Sequence, residues 1–185
     1  MIESILNVIE RTVAFLNARE QGRRQLFIDH IEPIFSDLLS VQSDYRNIFR
    51  ELETLLQAPT VHYSDLQLRL REGRYQLQQV REKNKKLAFA LRHSSQRLPE
   101  VVQLFFESVC RYFAVPDKDN PILSRRSSGS TALTDRLEYM AYMNFEDGEV
   151  RQMALSEIHH VSSTLETEWS HLLNVYANAR IELLK

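Results

Sequence analysis

The residues with the most chemical potential in this chain are two Glu-x-x-His runs, Glu157-Ile158-His159-His160 and Glu168-Trp169-Ser170-His171. On a helix, that spacing sets a carboxylate and an imidazole on one face, the geometry by which helical bundles hold paired metal ions. Such a centre draws its two pairs from different helices that face each other. Here both pairs fall in one helical stretch and start eleven residues apart, roughly 16 Å along a helix axis. They cannot share a metal pair, so the expectation is no metal and no cofactor.

Other reactive groups are sparse. His30, His62 and His93 stand alone in sequence. Cys110 is the single cysteine, which excludes an internal disulfide and a cysteine-rich zinc module. It sits in the apolar run 101–113 and reads as a small buried hydrophobe, not a nucleophile. No glycine-rich phosphate loop, Gly-x-Ser-x-Gly elbow or kinase-type motif occurs. The chain is accordingly expected not to be an enzyme.

Charge supplies a different kind of site. Residues 69–97 carry nine basic side chains, Arg69, Arg71, Arg74, Arg81, Lys83, Lys85, Lys86, Arg92 and Arg97, against only Glu72 and Glu82. The chain as a whole has a formal net charge of -2, so everything outside this segment is net acidic. A positive rod of this kind could track nucleic-acid phosphates, with Tyr75, Gln78, Gln79 and Asn84 adding hydrogen bonds. On a heptad projection, however, the charges surround the apolar seam and form no single stripe. That is the look of solvated faces and inter-helix ion pairs.

The elements that must carry these residues are long helices. Apolar or near-apolar positions recur at alternating three- and four-residue steps in three stretches. The first is Phe27, Ile31, Ile34, Leu38, Val41, Tyr45, Ile48, Leu52 and Leu55. The second is Leu66, Leu70, Gly73, Leu77, Val80, Asn84, Leu87 and Leu91. The third is Leu155, Ile158, Ser162, Leu165, Trp169, Leu172, Tyr176, Ala179 and Leu183. Such spacing draws one narrow stripe along each helix, suited to lengthwise packing. Asn84 and Gly73 interrupt the second stripe and fit intramolecular packing better than a simple zipper.

Punctuation residues divide the chain. An N-terminal helix over residues 2–20 carries Ile2, Leu6, Ile9, Val13 and Leu16 on one stripe, and Gly22 marks a break. Pro33 lies inside the first seam and predicts a kink, because the stripe stays in register across it. Pro59 ends that helix, and Ser64-Asp65 opens the next as an N-cap. Pro99-Glu100 starts a shorter helix that is apolar over most of its circumference and therefore expected inside a bundle. Residues 114–132 lose all periodicity and read as a flexible loop, with Arg125-Arg126-Ser127-Ser128 a phosphorylation-type sequence within it. Asp147-Gly148 precedes the last helix.

Four glycines and five prolines in 185 residues are few for a sheet protein, and 43% hydrophobic with 26% charged residues suits a globular chain. The expected fold is all-α: a single domain over residues 1–185, built as an elongated antiparallel bundle of long heptad-patterned helices with one shorter buried helix. No transmembrane segment and no signal peptide are expected, and the protein is assigned to the cytoplasm. The expected function is non-enzymatic: a helical-bundle scaffold docking protein partners or self-associating as a homodimer. The alternative is a nucleic-acid-binding helical protein using residues 69–97.

Overall fold

Phe27, Ile31, Ile34, Leu38, Val41 and Tyr45 all lie on the buried side of one continuous helical run. The computed structural model describes residues 6–12, 22–58, 64, 68, 98–113, 142, 143 and 145–185. All regular structure among them is helical, and none is a strand. A short helix, α1 (Arg23–Leu26), passes directly into a π-helical turn, Phe27–Ile31, and then into α2 (Glu32–Gln57). After it come α3 (Glu100–Phe113) and α4 (Gly148–Leu183). Residues 6–12 form a further helical stretch, with Val8 and Ile9 buried.

Pro33 sits in the first turn of α2. It has no N–H to donate and its ring crowds the carbonyl four residues back. The five-residue π-helical turn immediately before it widens the backbone where that carbonyl lies. The helix thus runs through Pro33 instead of starting afresh. At the far end, Ala58 is extended (ψ 137°), as the residue before Pro59 must be, and the helix stops.

The seam of α2 does not keep strict heptad spacing. Beyond Tyr45 the buried positions are Phe49, Leu52 and Leu56, while Ile48 and Leu55 are only partly buried. The stripe follows the roughly 3.6-residue turn of a straight α-helix, not the 3.5 of a supercoil. In α4, by contrast, Leu155, Ile158, Leu165, Trp169, Leu172, Ala179 and Leu183 are all buried as the heptad predicts, and Ser162 is half-buried. Asp147 caps this helix by accepting a hydrogen bond from the Glu149 N–H at 2.8 Å, so α4 begins at Gly148.

In α3, Val101, Val102, Phe105, Phe106, Val109 and Tyr112 are buried, as its broad apolar circumference predicts, and Leu104 alone of its large aliphatics is exposed. Its most extensive contact is with α4. Phe35 of α2 stacks with both Trp169 and Tyr176 of α4, at ring-centroid distances of 5.8 and 3.7 Å. Tyr112 of α3 also meets Trp169, tilted, at 5.7 Å. Each such aromatic pair contributes about 0.5–1.5 kcal/mol beyond its area burial. This layer locks three helices around one indole.

Candidate functional site

Polar side chains from α2, α3 and α4 converge beside that indole. Tyr112 Oη donates to Gln42 Oε1 at 2.5 Å, and Gln42 Nε2 donates to Glu166 Oε1 at 2.8 Å. Arg46 clamps the same carboxylate with two bonds, Nε to Oε1 at 2.7 Å and Nη2 to Oε2 at 2.6 Å. The Arg46 hydrogen bonds hold the Glu166 carboxyl below the usual carboxylate range. Burial pushes the Tyr112 and Tyr45 phenols well above theirs, so both stay neutral near pH 7. Gln42 is itself buried, with its oxygen and nitrogen both committed.

On the opposite flank of α4, Arg111 Nη2 donates to Glu168 Oε1 at 2.8 Å. Glu168 is only 5% exposed, and its Oε2 is buried without a hydrogen-bond partner. Elsewhere His159 Nε2 lies 3.0 Å from Glu53 Oε1, tying α4 to the end of α2. Arg11 Nε approaches Asp37 Oδ2 at 3.4 Å, close enough for Coulombic attraction but not aligned as a hydrogen bond.

A groove of about 300 Å³ runs along the exposed edge of this polar layer, lined by Leu39, Gln42, Ser43, Arg46, Asn47, Arg50 and Trp169. Ser43, Asn47 and Arg50 follow one another at i, i+4 and i+7, so a single face of α2 presents all three. Sequence reasoning did not find this site. The spacing was readable, but polar residues on the outer face of an amphipathic helix are ordinary. Only the position of Trp169 on a helix more than a hundred residues away turns that face into the wall of a groove.

The residues singled out from sequence fare differently. Arg69, Arg71, Arg74, Arg81, Lys83, Lys85, Lys86, Arg92 and Arg97 lie outside the described residues, as do His62, His93, Asn84, Gly73 and the stretch 114–132. The carboxylate and imidazole of the second Glu-x-x-His run point to different surroundings. The Glu168 carboxylate turns inward to Arg111, while His171 is exposed, and His160 is exposed on α4. Among the described residues, no group of three or more His, Cys, Asp or Glu side chains is placed to hold a metal ion.

Cys110 packs against the core, and burial pushes its thiol up to about 12, where almost no thiolate exists at neutral pH. The hydroxyls of Thr12, Thr54, Ser108, Thr164, Thr167 and Ser170 each donate to the carbonyl four residues earlier. Those donors are spent within their own helices. No helix among the described residues is long and apolar enough to cross a membrane. What the site offers chemically is an aromatic floor with hydrogen-bond donors and positive charge along one wall. Comparison of the chain with protein-family models, curated proteins and solved structures finds no match in any of the three.

Proposed function

We propose that this chain is a non-enzymatic interaction protein, an elongated antiparallel helical bundle that docks protein partners on the outer flank of α2 and α4. The order of cross-helix contacts supports the antiparallel arrangement. Moving up α2 through Phe35, Arg46 and Glu53, the partners on α4 descend through Tyr176, Glu166 and His159. From α3, Phe105 meets Tyr176 while Tyr112 meets Trp169, the same descending sense. With 36 residues, α4 is about 54 Å long, against a diameter of roughly 40 Å for a compact chain of this size. A radius of gyration at the compact value of about 16 Å in solution scattering would contradict the elongated shape.

The observation that carries the docking reading is apolar side chains left exposed on the described helices. Leu39 is 49% exposed and Leu173 39% exposed. Leu173 stands one turn beyond Trp169 on the flank that also carries Glu166. Ile28, Ile181 and Leu184 are exposed toward the end of the same helix pair. Leu39 lines the groove itself, and exposed apolar side chains beside a groove are what an interaction surface presents. A photoreactive amino acid at Leu39 or Leu173 should give discrete protein adducts that excess unlabelled protein suppresses. The same group at Met153, exposed elsewhere on α4, should give none. Absence of position-specific adducts at both sites overturns this reading.

The nucleic-acid reading rests on the nine basic residues between 69 and 97. It requires affinity for DNA or RNA that falls steeply with salt. Reversing charge at Arg81, Lys85 and Lys86 would then weaken binding across unrelated sequences. We expect negligible binding at physiological salt, and tight salt-sensitive binding would promote this alternative.

A further inference from the structure

We infer that the groove between α2 and α4 receives an acidic peptide segment, a carboxylate side chain adjacent to an apolar one, presented by a partner protein. The inference rests on the docking reading above and adds the chemistry of what is docked. Arg46 and Arg50 stand one turn apart on α2, and both line the groove, but they are not equivalent. Arg46 has two of its nitrogens committed to Glu166. Arg50 has no carboxylate partner among the described residues, and neither Ser43 nor Asn47 has a side-chain hydrogen bond there.

These three are hydrogen-bond donors along one wall. Arginine can only donate, and the serine hydroxyl and asparagine amide both can. The complementary ligand is therefore acceptor-rich, and an ionised carboxylate only accepts. A guanidinium can take it through two parallel bonds.

Charge decides between a carboxylate and a phosphate. Two guanidinium groups and the Glu166 carboxylate leave the site with a local excess of one positive charge. That matches a monoanion. A phosphate dianion would sit against Glu166 with only one uncommitted arginine to balance it. The apolar end argues the same way: the exposed Leu39 and the largely buried Trp169 line the groove beside the donors, a surface for a neighbouring aliphatic or aromatic side chain. At about 300 Å³, the groove is at the bottom of the range for ligand pockets, sized for side chains of a segment and not for a large cofactor. The floor is already packed, since the buried Trp169 contacts the rings of both Phe35 and Tyr112. Little ordering remains to oppose binding.

The chain has one tryptophan, so intrinsic fluorescence reports on this groove directly. A display library of random linear peptides should be selected on the full-length protein and counter-selected on Arg50→Glu. We expect enrichment of sequences with Asp or Glu next to Leu, Ile, Met or Phe. Synthetic copies should change Trp169 emission saturably. Replacing the acidic residue by its amide, or the receptor by Arg50→Glu, should weaken binding at least tenfold, with Arg50→Lys and Asn47→Ala causing smaller losses and helix content unchanged in all three.

Enrichment without acidic residues, or binding indifferent to Arg50→Glu, overturns the inference. So does the absence of any enriched peptide. Saturable quenching by inorganic phosphate in place of peptide would assign the site to phosphate. Self-association abolished by Arg50→Glu, without peptide binding, would assign it to a second copy of the chain; either result rejects the acidic partner segment. Position-specific adducts at Leu39 or Leu173 without acidic peptides would leave the docking reading standing while this inference falls.

Discussion

Glu166 and Glu168 lie two residues apart on α4 and meet opposite neighbours with opposite consequences. Glu166 faces α2, keeps its side chain 40% exposed, and has both oxygens bonded, by Arg46 and Gln42. Glu168 faces α3, has its side chain only 7% exposed, and has one oxygen on Arg111 and the other buried without a hydrogen bond. The better-bonded carboxylate is thus the one that water could also have served. The poorly bonded one is where removal of a partner leaves nothing in its place. A protein's dependence on an ion pair follows the penalty for stranding a charge more than the number of bonds drawn to it.

The largest effect expected from this contrast comes from Arg111→Ala. It strips Glu168 of its guanidinium and should destabilise the fold by about 2–3 kcal/mol in urea melts, tempered from the fully buried case because Arg111 reaches solvent. Glu168→Met, which removes the charge and fills similar volume, should cost less than about 0.5 kcal/mol or stabilise the protein. If both variants lose the same amount, the stranded charge is not the cause and the contrast with Glu166 fails.

None of this difference was legible in the sequence. Both residues read as acidic positions on the last helix, and Glu168 was grouped with His171 because their spacing shares a face. Which flank meets α3 and which meets α2 is long-range information that spacing within α4 does not contain. Arg111 gave no sign either, being a lone cation in an apolar run. What depended on local periodicity was readable: the helical class, the α4 seam, the breadth of the apolar surface on α3 and the Asp147-Gly148 start. The α2 seam was readable only as far as Tyr45. Beyond it a drift of about 20° per heptad, accumulated along the helix from Phe27, shifts burial from Ile48 and Leu55 to Phe49 and Leu56, and heptad spacing cannot anticipate a helix that stays straight. Pro33 signalled a disturbance, but its resolution as a π-helical turn depends on how Phe27 and Ile31 pack.

A smaller effect probes the support behind Glu166. Gln42 is buried between Tyr112 and Glu166. Gln42→Leu keeps the bulk but leaves the buried Tyr112 hydroxyl without its acceptor, at a cost of about 1–2 kcal/mol. The Tyr112→Phe change in the same background should restore part of that loss, since removing both partners is milder than removing one. A Gln42→Leu protein as stable as the original would mean that Tyr112 finds another acceptor and that the polar layer is not a unit.

The smallest effect belongs to the exposed pair itself. A double-mutant cycle of Arg46→Ala and Glu166→Ala should return a coupling of only about 0.5–1 kcal/mol, reduced further at high salt, because both side chains remain partly in water. Its pH dependence has a defined sign. The Glu166 carboxyl is lowered below its ordinary 4.5 in the folded protein, chiefly by the Arg46 hydrogen bonds, so the folded state holds this proton less tightly than the unfolded chain does. The associated stability is fully present above the unfolded value and is lost as pH falls through the lower folded one. Melts between pH 6 and 3 should therefore show a steeper decline for the original protein than for Arg46→Ala, with the two curves converging at the acid end. Parallel curves across that window would show that Arg46 does not set the Glu166 proton affinity, and that this carboxylate too depends mainly on its buried contact with Gln42.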